Sequence, residues 1–231
     1  MDFAKVKGIT LPEGNAAQIT NGAGNVLWTA GLPSIYQQVE YIRADANVGA
    51  YIDLGFAFDT GATVEMSQWI LDTATAYPFG AAENSGRWRC CVSSPYGGNA
   101  AYCYGSNSTT YISALAVHSL GKENHFIFNW EKGNLSVRNL TAATSKANTD
   151  QIEYTMTSHL YLFAQNYNGT ARFGDIRQIG YFRYYDKNGD LICDLVPCRR
   201  RSDSVIGMYD LVRGIFLTNA GSGTFTAGGD L

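Results

Sequence analysis

The stretch Ile179-Gly-Tyr-Phe-Arg-Tyr-Tyr-Asp-Lys-Asn-Gly-Asp-Leu-Ile-Cys-Asp-Leu-Val-Pro-Cys198 decides the fold class. With it goes the continuation Arg199-Arg-Arg-Ser-Asp-Ser-Val-Ile-Gly-Met-Tyr-Asp-Leu-Val-Arg-Gly-Ile-Phe-Leu-Thr-Asn-Ala-Gly-Ser-Gly-Thr-Phe-Thr-Ala-Gly228. The order is strand, tight turn, strand, long turn, strand, turn, strand. No part of it has the 3.6-residue apolar period of a helix. Asn188-Gly189 is a hairpin turn signal between Tyr184 and Leu191. Asp186-Lys-Asn-Gly-Asp190 begins like a calcium loop. It then continues Leu-Ile-Cys-Asp-Leu-Val, without the later ligands and the glutamate at position twelve that such a loop requires. Asp186–Asp190 is therefore expected to be a turn.

Upstream, strands are expected at Thr63–Leu71, Arg87–Val92, Ala100–Tyr104, His125–Trp130, Asn134–Asn139, His159–Gln165 and Arg172–Tyr185. Gly- and Asn-bearing turns such as Glu131-Lys-Gly-Asn and Asn166-Tyr-Asn-Gly separate them. This spacing suits a two-sheet sandwich. Ala142–Glu153 is the one place for a helix, and its Thr and Asn content weakens it. Val39, Tyr41, Tyr51 and Leu54 fit half-buried strands near the start. Residues 1–30 look like a separate β-arm. Ala17-Gln-Ile-Thr and Val26-Leu-Trp flank Asn21-Gly-Ala-Gly-Asn, a hairpin pattern. A lone hairpin cannot bury its own apolar side chains. Val26, Leu27 and Trp28 are therefore expected to make an assembly contact, with the main domain or another chain. Gly31-Leu-Pro-Ser marks the boundary, and residues 32–231 form the main domain.

Composition narrows the class of protein. Of 231 residues, 45% are hydrophobic and only 16% charged, with 25 Gly and 15 Tyr. Many tight turns and uncharged hydrogen-bonding side chains follow from this mix. The net charge is −3 and the pI about 5.6. No broad field attracts nucleic acid or an anionic membrane. No stretch reaches the roughly 20 apolar residues of a membrane span. Met1-Asp-Phe-Ala-Lys-Val-Lys7 lacks the apolar core of a secretory signal, so synthesis in a cytoplasm is expected. The five cysteines are Cys90, Cys91, Cys103, Cys193 and Cys198. An odd count with an adjacent pair argues against a disulfide framework or a metal knuckle. Free, buried thiols are expected.

Three segments resemble a known family. They are Tyr36-Gln-Gln-Val-Glu-Tyr-Ile with Tyr51-Ile-Asp-Leu-Gly-Phe, then Ile179–Cys198, then Gly207-Met-Tyr-Asp-Leu-Val-Arg-Gly. Together they are similar to the opening and closing strands of a phage-associated family with a concanavalin A-like (laminin G-like) jelly-roll β-sandwich. The arm is similar to N-terminal segments of phage tail and other virion proteins. The resemblance implies an all-β sandwich whose first and last strands are neighbours. It implies a non-enzymatic structural protein of a bacteriophage particle: a head fibre, a decoration protein, or a tail or baseplate accessory. Its partners would be other virion proteins and copies of itself, with a trimer or higher multiple expected from particle symmetry. The alternative is a carbohydrate-binding module for host-surface or mucosal glycans. In the resemblance Asp210 is architectural, accepting hydrogen bonds from the turn that Gly214 permits. No cofactor is indicated, though calcium held by loops stays open for this class of sandwich.

Candidate chemistry is sparse. A glycosidase needs two facing carboxyl groups at about 5–9 Å. The glutamates are Glu13, Glu40, Glu65, Glu83, Glu123, Glu131 and Glu153. None has an acidic partner two or four residues away, so a glycan hydrolase is the weakest of the three readings. His118, His125 and His159 are scattered, and there is no nucleophile elbow. Arg199-Arg-Arg201 reads as a solvated turn or an inter-subunit ion pair. Tyr96 in a Gly/Ser/Asn loop, Tyr102 and Tyr104 on one strand face, and Tyr167 in Asn166-Tyr-Asn-Gly are the candidate ligand-binding residues. For these tyrosines core packing, a protein interface and sugar stacking all remain open.

Overall fold

The computed structural model describes residues 18–20, 26–29, 31–45, 49–70, 77–83, 87–92, 100–106, 111–131, 134–149, 156–172, 174–175 and 177–231. Among them there is no helix. The strands in chain order are β1 (Gln18–Thr20), β2 (Val26–Thr29), β3 (Tyr36–Gln38), β4 (Ile42–Ala44), β5 (Ile52–Ala57), β6 (Thr63–Ile70) and β7 (Phe79–Ala82). Then come β8 (Arg87–Val92), β9 (Ala100–Ser106), β10 (Tyr111–Val117), β11 (Lys122–Glu131), β12 (Asn134–Asn139), β13 (Thr144–Asn148) and β14 (His159–Leu162). The last are β15 (Gln165–Tyr167), β16 (Thr170–Arg172), β17 (Gln178–Tyr185), β18 (Leu191–Arg200), β19 (Ile206–Asp210), β20 (Ile215–Thr218) and β21 (Phe225–Ala227).

One large sheet runs β13-β12-β11-β6-β17-β18-β19-β20, with β3 paired to β18, β4 to β17 and β21 to β4. A five-stranded sheet runs β16-β15-β7-β14-β5, and β10-β9-β8 form a third ladder. The core lies between the two main sheets, because alternate residues of each strand point inward. Val64 and Met66, Phe126, Phe128 and Trp130, and Phe182 and Tyr184 come from the large sheet. Ile52, Leu54, Phe79, Leu160 and Leu162 meet them from the five-stranded sheet. Phe79 sits at the centre, edge-on to Phe128, Trp130 and Phe182 at centroid distances of 5.6, 5.8 and 5.4 Å. Such edge-to-face pairs add to the burial term.

The opening and closing strands of the main domain meet as the terminal motifs imply. Phe225, Thr226 and Ala227 pair with Ala44, Arg43 and Ile42, and Val39 bridges to Asp230. Asp186 makes the expected turn: its carboxylate accepts from the Asn188 and Asp190 amides, and Gly189 has φ 82°. Cys193 and Cys198 are buried free thiols on β18. Burial pushes the Cys198 thiol up to about 12, and that of Cys193 also upward. The arm's hairpin is present, with β1 antiparallel to β2.

Three sequence expectations need correction. Thr144–Asn148 of the helix candidate is strand β13, paired to β12. The expected strand His159–Gln165 is broken at Phe163, which has φ 68°. The break places β14 antiparallel on one side of β7 and β15 parallel on the other. Arg172–Tyr185 is likewise two strands, β16 and β17. Alternation alone cannot register a single buried residue whose backbone turns left-handed. The Arg199–Arg201 run is a set of intrachain contacts. Arg199 pairs with Asp230 and Arg200 with Asp203, and Arg201 donates to the Ser34 carbonyl.

Candidate functional site

The motif Gly207–Gly214 is indeed architectural. Asp210 is fully buried, and its Oδ1 accepts from the amides of Asp194, Val212 and Arg213 at 3.2, 2.9 and 3.3 Å. Its Oδ2 accepts from Arg213 Nε. Arg213 then crosses to the five-stranded sheet and donates to the Leu54 carbonyl at 2.6 Å. One turn thus ties both sheets. Gly214 holds φ 68°, which glycine adopts without steric cost. A Cβ on Gly207 would lie 2.3 Å from the Leu217 carbonyl oxygen, so only glycine fits the β19–β20 ladder there. All of this polar capacity is used internally, which marks a structural element rather than a binding one.

A different region keeps its polar groups at the surface. It is the outer face of the large sheet, where β11, β6 and β17 lie side by side. Register builds it in rows. Glu123 stands opposite Trp69, which stands opposite Gln178, which stands opposite Arg43. In the next row are His125, Ser67 and Tyr181, and then Ile127, Glu65, Arg183 and Asp194. Each strand contributes alternate residues, so every named side chain points the same way.

Gly180 shapes the centre. The register between β17 and β6 slips between Ile179 and Tyr181, so Gly180 is the extra residue of a β-bulge. A Cβ there would meet Ser67 Oγ at 2.5 Å, Trp69 Cζ3 at 3.0 Å and Glu123 Oε1 at 3.4 Å. The bare backbone lets the Trp69 ring lie across the neighbouring strand. Tyr41 packs against that ring at 5.6 Å. Beside it His125 and Tyr181 stack, with ring centroids 5.8 Å apart. His125 Nδ1 is 3.4 Å from the Tyr181 hydroxyl, and its Nε2 is 3.6 Å from Glu123.

One guanidinium on this face stands between two carboxylates. Arg183 Nε is 3.1 Å from Asp194, and its Nη1 is 3.8 Å from Glu65. The guanidinium also lies 5.2 Å over the Tyr181 ring, a cation–π contact. The Tyr185 hydroxyl donates to Glu65 at 3.4 Å. Burial, then Glu65, raises the Tyr181 phenol, with Arg183 opposing. Burial and Glu65 also raise Tyr185. Both phenols stay protonated and can donate at neutral pH. Glu123 and Glu65 remain about a third exposed. The result is a half-open surface of rings, two phenols, an imidazole and two carboxylates. Such a surface can stack a flat apolar ligand face and hydrogen-bond its hydroxyls.

Of the sequence candidates, only Tyr167 has its side chain among the described residues. Tyr96 lies outside the described residues. Tyr102 and Tyr104 are on β9, opposite Leu115 and Ser113 of β10; their side chains lie outside the described residues, as do those of Val26, Leu27 and Trp28 on β2. Tyr167 is half-buried on β15, under the Arg172 guanidinium at 4.2 Å, on the opposite sheet from Trp69. The sequence reading missed Trp69, Glu123, His125 and Tyr181 as a set. The signal available was three alternating strings, Glu65-x-Ser-x-Trp69, Glu123-x-His-x-Ile127 and Tyr181-x-Arg-x-Tyr185, which only strand order brings together. Among the described residues no group of three or more His, Cys, Asp or Glu is placed to hold a metal ion.

No family model matches the chain, and no curated protein does. Similar solved structures exist at low identity. Domains LG4-5 of the mouse laminin alpha1 chain are 12% identical, with a TM-score of 0.52 over 79% of this chain and 50% of that one. The native heptameric SAP-like pentraxin from Limulus polyphemus is 13% identical, with a TM-score of 0.46 over 68% and 79%. The full-length tailspike protein 2 of Escherichia coli O157:H7 bacteriophage CAB120 is 9% identical, with a TM-score of 0.42 over 75% and 31%. The chain thus aligns to half the length of the laminin fragment. The fold is a concanavalin A-like, laminin G-like jelly-roll β-sandwich, and likeness at this level speaks to the fold alone.

Proposed function

We propose that this protein is a non-enzymatic glycan-binding β-sandwich, and that the outer face around Trp69 is its sugar platform. The observation that carries the reading is the Trp69 ring laid over the Gly180 bulge, flanked by Tyr41, the His125–Tyr181 stack and the Glu123 carboxylate. An aromatic plane takes the apolar face of a pyranose, while carboxylates and phenols at its rim take hydroxyls. Binding without cleavage fits the spacing of the acids. Glu65 and Trp69 are four residues apart on β6, and Glu123 is opposite Trp69. The Glu65 and Glu123 backbones are therefore separated by about 13 Å along the strands, and the nearer acid pair on this face, Glu65 and Asp194, is bridged by the Arg183 guanidinium. Affinity electrophoresis against a polysaccharide panel tests the reading. Retention lost in Trp69→Ala, with no new reducing ends formed by the wild type, is the expected result. Equal retention of wild type and variant counts against it.

The setting we propose is a bacteriophage particle, in a head-fibre, decoration, tail or baseplate role. The support is the sequence resemblance of the arm and the terminal strands, together with the short β1–β2 hairpin among the described residues of the arm. Residues 1–30, with Val26, Leu27 and Trp28, would attach the sandwich or join its copies. The chain would be made in the host cytoplasm and leave with the particle. Mass spectrometry of density-banded particles should find a fixed copy number. Deletion of residues 1–30 should abolish incorporation and leave a soluble sandwich. A protein found only free in the lysate would remove the virion setting and leave the glycan platform to be judged alone.

A further inference from the structure

The Trp69 platform carries opposite charges at its two sides. One row of cross-strand partners crosses five strands: Glu123 on β11, Trp69 on β6, Gln178 on β17, Arg43 on β4 and Thr226 on β21. Residues paired in this way share a face of the sheet. No member of the row is buried. Trp69 and Gln178 are half-buried, Arg43 and Thr226 are exposed, and the Glu123 side chain is 32% exposed. The indole thus has a carboxylate on its β11 side and an amide and a guanidinium on its β4 side.

The ring leans toward the basic side. Trp69 Cζ3 lies 3.0 Å from where a Gly180 Cβ would stand, so the indole crosses from β6 onto β17. There it meets Tyr41 of the β4 segment at 5.6 Å. Arg43 follows Tyr41 by two residues and points to the same face. From the Trp69 backbone to the Arg43 backbone is two strand spacings, about 10 Å, and the lean of the indole shortens that gap. A sugar seated on the ring therefore brings a ring substituent within reach of a long guanidinium side chain. Asp45, the next acid on that side of the chain, accepts from the Thr224 hydroxyl at 2.6 Å. Glu123, across the platform, is 3.6 Å from the His125 imidazole. The protein's net charge of −3 gives no general attraction for a polyanion, so a preference for acidic ligands has to be local.

We infer that the platform selects carboxylate-bearing pyranoses, with the sugar ring on Trp69 and its carboxylate on Arg43 and Gln178. This rests on the reading of Trp69 as a sugar platform and adds the class of sugar. A guanidinium offers a carboxylate two parallel hydrogen bonds, and the Gln178 amide supplies a further donor from the neighbouring strand. Glu123 accepts from hydroxyls at the opposite side and repels a carboxylate turned that way. The row thereby gives the sugar one orientation, acid toward β4 and hydroxyls toward β11. Arg43 sets the specificity, while Trp69 supplies affinity that acidic and neutral sugars share.

Affinity electrophoresis of the full chain tests this with polygalacturonate, alginate and hyaluronan, each beside its carboxyl-reduced form. Reduction keeps the rings and linkages and removes only the charge. At least one of the three polymers should bind ten times more tightly than its reduced form. Arg43→Gln should abolish that tenfold difference and leave retention by the reduced polymer unchanged, with Arg43→Lys between the two. Trp69→Ala should weaken retention by both forms. Arg43 is exposed, so the thermal midpoint of both Arg43 variants should match the wild type. Equal retention by every polymer and its reduced form would overturn the inference and uphold the platform. Wild-type discrimination in Arg43→Gln would also overturn it. Retention by no polymer, acidic or neutral, would overturn both the inference and the platform.

Discussion

The turn at Asp210 and the face around Trp69 are both rich in polar groups, and they differ in who uses them. At Asp210 a fully buried carboxylate accepts from three amides and a guanidinium, and that arginine spans to Leu54. Around Trp69 the carboxylates of Glu65 and Glu123 are about a third exposed, with Arg183 Nη1 3.8 Å from Glu65 and the His125 imidazole 3.6 Å from Glu123. The first region satisfies itself and so holds the fold. The second is ordered by its own contacts but leaves capacity facing outward. Polar density alone therefore does not mark a site; unspent capacity at the surface does.

The largest effect should come from breaking the first region. Asp210→Ala leaves the Arg213 charge and three amides without their acceptor, so unfolding stability should fall by about 3–5 kcal/mol. Urea denaturation reads this directly, and a loss below about 1 kcal/mol would mean the turn is not the tie between the sheets.

The buried His118 sharpens the same criterion by pH. His118 is buried, and burial, then the Arg177 charge, lowers it to about 4. The folded state therefore refuses a proton that the unfolded chain accepts near 6.5. Stability from this group is intact above pH 6.5 and falls as pH drops toward 4, then levels off. The loss approaches about 3 kcal/mol at most. His118→Gln should flatten this slope in denaturation midpoints measured across pH 4 to 7.

Gly180→Ala probes where the two regions' logics meet. The added methyl encounters Ser67 Oγ and the Trp69 ring, so the ring must tilt off the strand. We expect a stability loss of about 1–3 kcal/mol with a larger proportional loss of glycan retention than any equally destabilising core variant. Equal losses would dissolve the distinction between platform and scaffold. Smallest of all should be Arg200→Ala. Its pair with Asp203 is at the surface, where such pairs contribute little, and the denaturation midpoint should not move measurably.

The fold was readable where turns carry their own chemistry. Asn188-Gly189, Gly214 and Asp210 each specify a local geometry, and neighbouring strands follow. It was not readable at Phe163, a buried aromatic with a left-handed backbone, because no turn residue announces it. For the site, the sequence drew attention to tyrosines in glycine-rich segments, since exposed rings there are unusual. Trp69 escaped that reading because it sits mid-strand in an ordinary alternating run. Its partners, Glu123 and Tyr181, are 54 and 112 residues away in the chain. Only the order β11-β6-β17 makes them neighbours, and strand order is set by long-range packing rather than by local pattern.

The central claim is that Trp69 and its neighbours bind sugar. The most direct measurement is the affinity of wild type and Trp69→Ala for the glycan best retained in a polysaccharide panel, with thermal midpoints recorded for both. The account predicts at least a tenfold loss of affinity, about 1.4 kcal/mol, with the folded sandwich retained. Unchanged affinity in a folded Trp69→Ala protein would contradict it.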